Sequence, residues 1–542
     1  MKPTFRDVLR WGDAQKETRL SPGQVAALAE MLGLELDPER PRRPGREPLT
    51  LEPPQPLPPG FLSRLEEIVG PENLAQDELS RAGHACGKFY GELVELRRGR
   101  VPHPPQAVVY PRNQAEVQAL VELCSAQGVP LIPFGGHTSV TRGVAAPRGG
   151  ICLDLTRHLK RVLEINQENQ TVTAQTGIMG PALEAALNRA GPGYTLGHFP
   201  QSFEFSTLGG WLATRGAGQV STGYGKIEDM VLGLRVVTPA GIITTPAHPA
   251  ESTGPDLDRL FLGSEGTLGV ITQATLKIQR HLPRNTRLAA YLFRDFPTAV
   301  QAVRHIMQAR GGRPYLLRLL DPEETEVAFR LRQKSAPRLL AALGYSPGRR
   351  CLLLLSVEGQ RRHARSVARG LGRLARRAGA LPLGRGPVRH WLEQRYRSAY
   401  LREPLMDLGL RTDTLETAVS WDRLLELWSA ARAYIKSRPH TLCLVHLSHA
   451  YSSGANLYFT FISPMAGENE LEDYQGFLAG LVETILDRGG ALSHHHGIGR
   501  LLAPWMPREV GQEGLDLLRA IKRHLDPRGV MNPGGTLGLD RE

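Results

Sequence analysis

The sequence predicts an α+β protein with an α/β domain in its first half, a second domain built on an antiparallel sheet flanked by helices, and a helical N-terminal extension. Strand, helix and strand patterns follow one another in "QAVVYPR", "NQAEVQALVELCSAQG" and "VPLIPFGG" (106–136), as in a β-α-β unit. Strand and helix patterns alternate again in "RLAAYLF" and "PTAVQAVRHIMQARG" (287–311). "TLCLVHLSHAYSSGANLYFTF" (441–461) indicates two antiparallel strands around a turn. The 542 residues allow two or three domains.

Residues 1–100 form the predicted N-terminal region. "SPGQVAALAEMLGL" places Ser21 as a helix N-cap, with Pro22 in the first turn and apolar residues at helical spacing. Residues 36–60 are rich in proline and charge, which indicates a linker or a surface wrap. A further helix is expected from Phe61.

Residues 101–282 form the predicted α/β domain. After the β-α-β unit, four more strands are expected in "GICLDL", "TVTAQTG", "MVLGLRVVTPAG" and "GVITQATLKI". Residues 283–500 form the second domain, in which "CLLLLSVEG" (351–359) is a buried strand and 360–378 an arginine-rich helix. Residues 501–542 contain a last helix, "GLDLLRAIKRHLDP", and a glycine-rich tail that returns to the first domain.

The composition is that of a soluble globular protein with a net charge of +12. Such charge suits phosphate, anionic lipid or nucleic acid, but no nucleic-acid motif accompanies it, so nucleic acid is not expected as a partner. No apolar run reaches the ~18 residues of a membrane span, and no signal-peptide pattern begins the chain. Five scattered cysteines form no CxxC motif, so a reducing, cytoplasmic compartment is expected. The excess of arginine over lysine is typical of bacterial, GC-rich coding.

Three glycine-rich stretches lie inside the α/β domain. "PFGGHTSV" (133–140) ends a strand, and its glycines let successive backbone amides point into one concavity, which suits a pyrophosphate. Alone, this stretch fits a simple tight turn equally well. "HFPQSFEFSTLGGWLATRGAGQ" (198–219) and "GSEGTLGVIT" (263–272) make a shared large ligand the better interpretation.

These stretches, in this order, resemble the PCMH-type FAD-binding domain of the vanillyl-alcohol-oxidase-type flavoproteins. Within that superfamily the chain is most similar to the alkyldihydroxyacetonephosphate synthase family. The similarity runs from about Arg81 to about Pro527 and includes "FEFSTLGGW", "STGPDLDRLFLGSEGTLGVIT", "AYLREPL" and "SHHHGIGR".

The resemblance implies FAD as the cofactor, held by backbone amides and small or hydroxyl side chains. The implied contacts are Pro133, Phe134, Gly135, Gly136, His137, Thr138, Ser139, Gln201, Ser202, Phe203, Glu204, Phe205, Ser206, Thr207, Thr214, Arg215, Gly216, Ala217, Glu265, Gly266, Thr267, Leu268, Gly269, Val270 and Ile271. The synthases usually have glycine at the place of His137, and some members of the superfamily bond a histidine there to the flavin. Non-covalent FAD is expected, with a covalent link through His137 as the alternative.

The three adjacent histidines of "SHHHGIGR" raise the possibility of a metal site. Oxidising relatives carry an H-x-G-D-G-N-x-H type motif, but here "HAYSSGANLYF" (449–459) lacks the acidic residue and has Tyr458 where a histidine is expected. Adjacent residues of an extended segment point in alternate directions, so no more than two of the three can face one ion. No metal is therefore expected.

The resemblance instead implies that His494, His495 and His496 line the active site and assist proton transfer and carboxylate departure. It makes Tyr451 the proton acceptor and donor, which would need neighbouring positive charge because a phenol has a pKa of ~10. It makes Arg402 a substrate-binding residue and Arg318 a residue needed for activity. Ordinary packing or a carboxylate partner is the alternative for each of these side chains.

The implied reaction exchanges the acyl chain of acyl-dihydroxyacetone phosphate for a long-chain fatty alcohol, through an adduct at the flavin N5 and with no net redox. The alternative is an FAD-linked 2-hydroxy-acid dehydrogenase or oxidase of the D-lactate or glycolate type, which His137 and the "NPG" tail favour. Because alcohol and product are lipids, contact with a membrane surface is expected. A homodimer is possible. No peroxisomal ending is present in "LDRE".

Overall fold

The computed structural model describes residues 3–9, 20–37, 48–331 and 338–535. Part of the predicted linker (38–47) and the last seven residues, including "LDRE", lie outside the described residues. Within the described ranges, no helix is both long enough and apolar enough to cross a membrane.

The N-terminal region consists mainly of short helices. Ser21 caps the second helix as predicted: its hydroxyl accepts from the Gln24 amide, and the Gln24 side chain accepts from the Ser21 amide. The elements are α1 (Phe5–Leu9), α2 (Pro22–Leu32), β1 (Thr50–Leu51), α3 (Phe61–Val69), β2 (Leu74–Ala75), α4 (Glu78–Gly83), α5 (Tyr90–Arg97) and β3 (Arg100–Val101).

The α/β domain contains two larger sheets and a two-stranded sheet. Its elements are β4 (Ala107–Val109), α6 (Gln114–Gln127), β5 (Leu131–Phe134), β6 (Ile151–Asp154), β7 (Val162–Asn166), β8 (Thr171–Gln175), α7 (Gly180–Arg189), β9 (Tyr194–Thr195), α8 (Leu208–Thr214), α9 (Ser221–Tyr224), α10 (Ile227–Met230), β10 (Val231–Thr238), β11 (Gly241–Thr244), α11 (Leu257–Phe261), β12 (Val270–Lys277) and β13 (Gln279–Arg280). A four-stranded sheet has the order β2-β4-β6-β5, with β4, β6 and β5 parallel. A five-stranded antiparallel sheet has the order β11-β10-β12-β8-β7, and β9 and β13 form the two-stranded sheet.

The second domain is built on one seven-stranded sheet. Its elements are β14 (Arg287–Phe293), α12 (Phe296–Gln308), β15 (Leu316–Leu320), α13 (Pro322–Arg330), α14 (Arg338–Ala342), β16 (Cys351–Val357), α15 (Arg361–Arg377), β17 (Leu381–Gly384), α16 (Gly386–Gln394), α17 (Arg402–Asp407), β18 (Leu410–Ser420), α18 (Leu424–Lys436), β19 (Leu442–Leu447), β20 (Gly454–Pro464) and α19 (Glu470–Asp487). The order is β17-β14-β16-β15-β19-β20-β18, and every pair is antiparallel. The predicted hairpin is β19 and β20, and the α+β class is confirmed.

The two faces of the seven-stranded sheet carry different chemistry because side chains alternate along a strand. On β15, Leu317 and Leu319 join a core with the outer helices, while Arg318 and Leu320 face a cavity. β19 repeats the pattern, with Val445 in the core and His446 at the cavity. The cavity face of the sheet therefore carries both polar groups, such as Arg318 and His446, and apolar ones, such as Leu320.

The chain ends by returning to the first domain. Helix α20 (Gly499–Leu502) is followed by α21 (Met506–Leu525), which is kinked at Gly511. Lys522 of α21 is buried and donates to Asp526 and to the carbonyls of Thr267 and Met531. The tail then pairs with β5, since the Leu131 amide donates to the Val530 carbonyl.

Candidate active site

A continuous cavity of about 1950 Å³ lies between the two domains. This exceeds the ~300–1,000 Å³ typical of a site for one drug-sized ligand. One part is walled by the glycine-rich loops of the α/β domain, and another by apolar residues from α2, α13 and the cavity face of the second sheet. The cavity thus has room for a large cofactor and an apolar substrate together.

The glycine-rich loops approach one another too closely for side chains. A Cβ atom on Gly136 would collide with the Phe205 carbonyl oxygen, and one on Gly135 with the Thr207 hydroxyl. Gly266 has a φ of +78°, and a Cβ there would lie 2.9 Å from Pro133 Cγ. These glycines leave backbone amides at the cavity wall, as a bound pyrophosphate requires.

Buried polar atoms in this part of the molecule also fit a large polar ligand. His137 lines the cavity, and its Nε2 has no hydrogen-bond partner among the described residues. Its φ of +60° is a conformation that favours glycine. Burial, and to a smaller degree Lys88, hold the pKa of His137 well below its ordinary value, so the imidazole is neutral.

Most of the cofactor residues implied by the resemblance reach this cavity. All of 133–139 line it, together with Gln201, Ser202, Glu204, Ser206, Thr207, Thr214, Gly216, Ala217, Glu265, Gly266, Gly269, Val270 and Ile271. Five others do not line it: Phe203, Phe205, Arg215, Thr267 and Leu268. Phe203 packs against Trp211 and Tyr396, and Arg215 pairs with Glu228.

Tyr451 lies in the turn between β19 and β20, and this turn is fixed from both sides. Its amide donates to the Gly454 carbonyl at 2.8 Å. The Asn456 side chain accepts from the amides of Ser448 and His449. From the first domain, the Thr222 hydroxyl contacts the backbone of Ser448 and Ala450. The turn is therefore anchored to the α/β domain.

The structure brings Tyr451 and the three-histidine segment together. The Tyr451 hydroxyl lies 2.7 Å from His494 Nε2. His495 and His496 line the cavity, whereas Tyr451 and His494 form the layer behind them. Lys226 of the first domain donates to the His494 carbonyl at 2.7 Å, so both domains hold this segment.

The expectation that adjacent histidines point in alternate directions is wrong for this segment. It is neither strand nor helix, and the Nδ1 atoms of His494 and His495 lie 2.9 Å apart. His449, the first residue of "HAYSSGANLYF", joins His494 and His495 in a group whose nitrogens lie within 4.8 Å of one another, close enough to share a metal ion; two of the three adjacent histidines belong to it, the number the sequence argument allowed. In this structure His449 Nε2 faces the Gly218 carbonyl and its Nδ1 faces the Ser448 hydroxyl.

The expected positive charge beside Tyr451 is not what the structure provides. Burial raises the pKa of Tyr451, and the carboxylates of Glu228, Asp229 and Glu416 raise it further. Burial also holds the pKa of His494 well below its ordinary value. The pair is therefore a neutral phenol next to a neutral imidazole, whose Nε2 can accept the phenol proton.

Arg318 has a carboxylate partner, so no anionic ligand is needed to explain its burial. Its Nη2 lies 2.9 Å from Glu324 Oε1 and 3.0 Å from His446 Nδ1. Burial raises the pKa of Glu324, but His446 and Arg318 more than offset this and bring it to about 2. Burial lowers the pKa of His446 to about 4, and Arg318 contributes to the shift. All three side chains line the cavity.

Arg402 also has partners within the protein. Its Nη2 donates to Asp413 at 2.9 Å and its Nη1 to the Lys88 carbonyl. Lys88 lines the same wall, and burial lowers its pKa to about 8. Both cations lie beside carboxylates of the same wall, Arg402 beside Asp413 and Lys88 beside Glu403.

Several functional candidates escaped the sequence reasoning. Glu324, His446 and Lys88 line the cavity, and Glu416 contacts the histidine segment from behind. His446 lies at a cavity-facing position of its strand, as Arg318 does, and Glu416 lies on β18 two residues beyond Thr414, which lines the cavity. Because side chains alternate along a strand, such residues can be identified once the strands are assigned.

Comparison with known proteins agrees with the fold and the cavity. A family model described as "FAD binding domain" matches residues 105–245, and one described as "FAD linked oxidases, C-terminal domain" matches residues 282–536. Alkyldihydroxyacetonephosphate synthases from Trypanosoma brucei brucei and Dictyostelium discoideum are each 34% identical, covering 88% and 90% of this chain and 80% and 82% of the relatives. A solved structure of an alkyldihydroxyacetonephosphate synthase superimposes with a TM-score of 0.82 at 29% identity, over 98% of this chain and 97% of that one.

Fold and family models together define an FAD-dependent flavoprotein of the vanillyl-alcohol-oxidase type. FAD is the cofactor, and the glycine cradle and the buried Nε2 of His137 fit it. The chain belongs to the alkyldihydroxyacetonephosphate synthase family, the alkylglycerone-phosphate synthases.

Proposed function

We propose that this enzyme exchanges the acyl chain of acyl-dihydroxyacetone phosphate for a long-chain fatty alcohol, yielding an ether lipid precursor and a fatty acid. The observation that carries the proposal is the Tyr451–His494 contact directly behind His495 and His496, which line a cavity with a cofactor cradle and apolar walls. The carbon–oxygen bond between the glycerone carbon and the carboxylate breaks, and a carbon–oxygen bond to the alcohol forms. No electrons are gained or lost overall.

Tyr451 is the proton-transfer residue in this proposal. Its hydroxyl passes its proton to His494 Nε2 as it accepts one from the substrate carbon, so the buried phenol never becomes an isolated anion. The proton returns by the same path after the exchange. When bound, FAD supplies a ring position that holds the glycerone carbon during the exchange.

The remaining polar residues bind and orient the substrate. Arg402 and Lys88 face the phosphate, while His495 and His496 hydrogen-bond the departing carboxylate. Arg318, held by Glu324, orients the carbonyl oxygen of the glycerone. The apolar walls from α2, α13 and the second sheet take the acyl or alkyl chain.

We further propose that FAD is held without a covalent bond, although His137 occupies the position of a flavin-bonded histidine in some relatives. Acid precipitation of the yellow protein tests this directly. Flavin in the supernatant supports the proposal, and flavin in the pellet identifies a covalent link.

The experiment that tests the function uses purified, FAD-loaded enzyme with labelled hexadecanol and acyl-dihydroxyacetone phosphate. The expected result is labelled ether lipid in amounts well above the enzyme concentration. FAD-loaded enzyme that forms no labelled ether product would reject the proposal.

The second candidate is an FAD-linked 2-hydroxy-acid dehydrogenase. The group formed by His449, His494 and His495 favours it, because a metal ion held there can bind a 2-hydroxy acid. This candidate requires that a 2-hydroxy acid bleach the flavin anaerobically and that a chelator abolish the bleaching. The proposed synthase needs neither, and added Zn²⁺ or chelator should leave its turnover unchanged.

A further inference from the structure

A buried carboxylate lies behind the three histidines. Glu416 is on β18, paired in register with Tyr458 on β20, and is 2% exposed. A buried carboxylate is strongly destabilising unless donors compensate for its lost hydration. The partners of Glu416 therefore indicate what it does.

Those partners are one hydroxyl and three consecutive backbone amides. Glu416 Oε1 accepts from the Ser493 hydroxyl at 2.7 Å and from the His495 and His496 amides at 3.1 and 3.0 Å. Oε2 accepts from the His494 amide at 2.7 Å. The segment has no regular secondary structure, so these four bonds fix its path.

The far end of the segment is fixed by a second glutamate, from the first domain. The Gly499 amide donates to Glu265 Oε2 at 2.7 Å, and a Cβ on Gly497 would collide with Glu265 Oε1. Glu265 belongs to the loops of the cofactor cradle. The histidine segment is thus held at one end by Glu416 of the second domain and at the other by Glu265 of the cofactor cradle.

The surroundings of Glu416 favour its charged form. Burial raises its pKa, but His495, His496 and His494 more than offset this and hold the pKa well below its ordinary value. His495 Nδ1 lies 3.4 Å from Oε2, and His496 Nδ1 lies 3.8 Å from Oε1. Glu416 does not line the cavity, so it acts through the histidines rather than on the substrate.

We propose that Glu416 is a positioning residue that fixes His494 against Tyr451 and aims His495 and His496 into the cavity. This inference rests on the proposed function for its catalytic meaning. The structural part of the proposal, that Glu416 holds the segment in place, does not depend on which reaction the enzyme catalyses.

Glu416→Gln tests the proposal because it keeps the shape and replaces one acceptor oxygen by a donor. That donor faces backbone N–H donors, so the segment must shift. We expect kcat per bound flavin to fall about 10- to 100-fold, the effect of losing a hydrogen bond to a charged group. KM for the acyl substrate should change by less than about 3-fold, because Glu416 does not touch the substrate.

Two milder variants and one control accompany it. Ser493→Ala removes one of the four bonds and should lower kcat less than Glu416→Gln. Glu416→Asp keeps the charge and should recover part of the lost turnover. Glu470→Gln alters another buried carboxylate of the same domain, paired with Arg411, and should lower stability without changing kcat per bound flavin.

Hydrogen exchange of peptides covering 491–500 gives a measurement independent of the reaction. We expect the amides of the three histidines to exchange at least ~10-fold faster in Glu416→Gln than in the wild type, and unchanged in Glu470→Gln. Unchanged protection, or wild-type kcat per flavin in Glu416→Gln, would overturn the proposal. Lost protection in an enzyme that forms no ether lipid would leave the positioning role standing and reject only the synthase function.

Discussion

At the scale of single residues, the contact between Tyr451 and His494 decides how a proton can be moved. Burial keeps both groups neutral, so a phenolate is not stored in the resting enzyme. A hydrogen bond of 2.7 Å lets the phenol give up its proton while it takes another. The two side chains act together, so removal of either one should lower turnover per bound flavin.

Tyr451→Phe removes one oxygen and keeps the ring. We expect turnover per bound flavin to fall at least ~10²-fold, as for a lost acid–base group, with FAD binding unchanged. Stability should change by no more than about 1.5 kcal/mol, the net contribution of one hydrogen bond. Wild-type turnover on a per-flavin basis would remove Tyr451 from the mechanism.

Residue positions were predictable where a family motif carried them, whereas contacts that depend on long-range pairing were not. The resemblance placed Tyr451 and the three histidines in one site, and the structure brings them together. The partners of Arg318 and Arg402 were not, because Glu324 and Asp413 become neighbours only through sheet register and helix packing. Glu416 was missed for the same reason, since its four bonds span about 80 residues of sequence.

At the scale of elements, the cofactor cradle depends on loops that touch without side chains between them. Gly136→Ala would place a methyl group on the Phe205 carbonyl, so one loop must move. We expect FAD binding to weaken by about 1–3 kcal/mol. Flavin-release titrations should show this as a higher Kd for FAD.

Gly370→Ala, on α15, is the matched control because nothing lies within 4 Å of the added methyl group. It should raise the free energy of unfolding by about 0.4–1 kcal/mol and leave FAD affinity unchanged. Equal FAD affinity in Gly136→Ala and wild type would show that the cradle does not hold the cofactor.

The contact of α21 with the first domain gives a second element-scale prediction. Lys522→Met leaves Asp526 buried without its cation, which should lower the free energy of unfolding by about 3–5 kcal/mol. Lys436→Met is the control, since the Lys436 side chain is 40% exposed and its pairing contributes at most about 1 kcal/mol. Urea denaturation measures both, and equal effects would contradict the assigned role of Lys522.

Strands with apolar patterns were predictable, whereas β18 was not recognised. β16 reads "CLLLLSV" and is buried throughout, as expected for a strand covered on both faces. β18 reads "LRTDTLETAVS", and its charged residues suggest a surface, yet Arg411, Asp413 and Glu416 are buried and paired. Hydrophobic periodicity cannot identify a strand such as β18, because its buried charged side chains are paired with residues from other elements.

At the scale of the whole molecule, the site exists only where the two domains meet. The α/β domain supplies the cofactor cradle, and the second domain supplies Tyr451, Arg318, Arg402 and Glu416. The overall α+β class was predictable from strand and helix patterns. The shape of the cavity was not, because it depends on how the second sheet packs on the first domain.

Contact with a membrane is our proposal at this scale. Arg361, Arg365, Arg369, Arg373 and Arg376 of α15 are exposed, and none has a carboxylate partner among the described residues. We expect the enzyme to sediment with phosphatidylglycerol vesicles at low salt and to be released at 0.5 M salt, at roughly a 4 Å screening length. Neutral vesicles are the control, and a protein wholly in the supernatant at low salt would reject this contact.

One anaerobic measurement tests the central claim, that the bound flavin supports an exchange and not an oxidation. FAD-loaded enzyme, acyl-dihydroxyacetone phosphate and labelled hexadecanol are mixed without any electron acceptor, and ether lipid and flavin absorbance are followed in the same cuvette. We expect many molecules of ether lipid per flavin, with the flavin oxidised at the end. A flavin that bleaches with D-lactate or glycolate, in an enzyme that forms no ether lipid, would contradict the account.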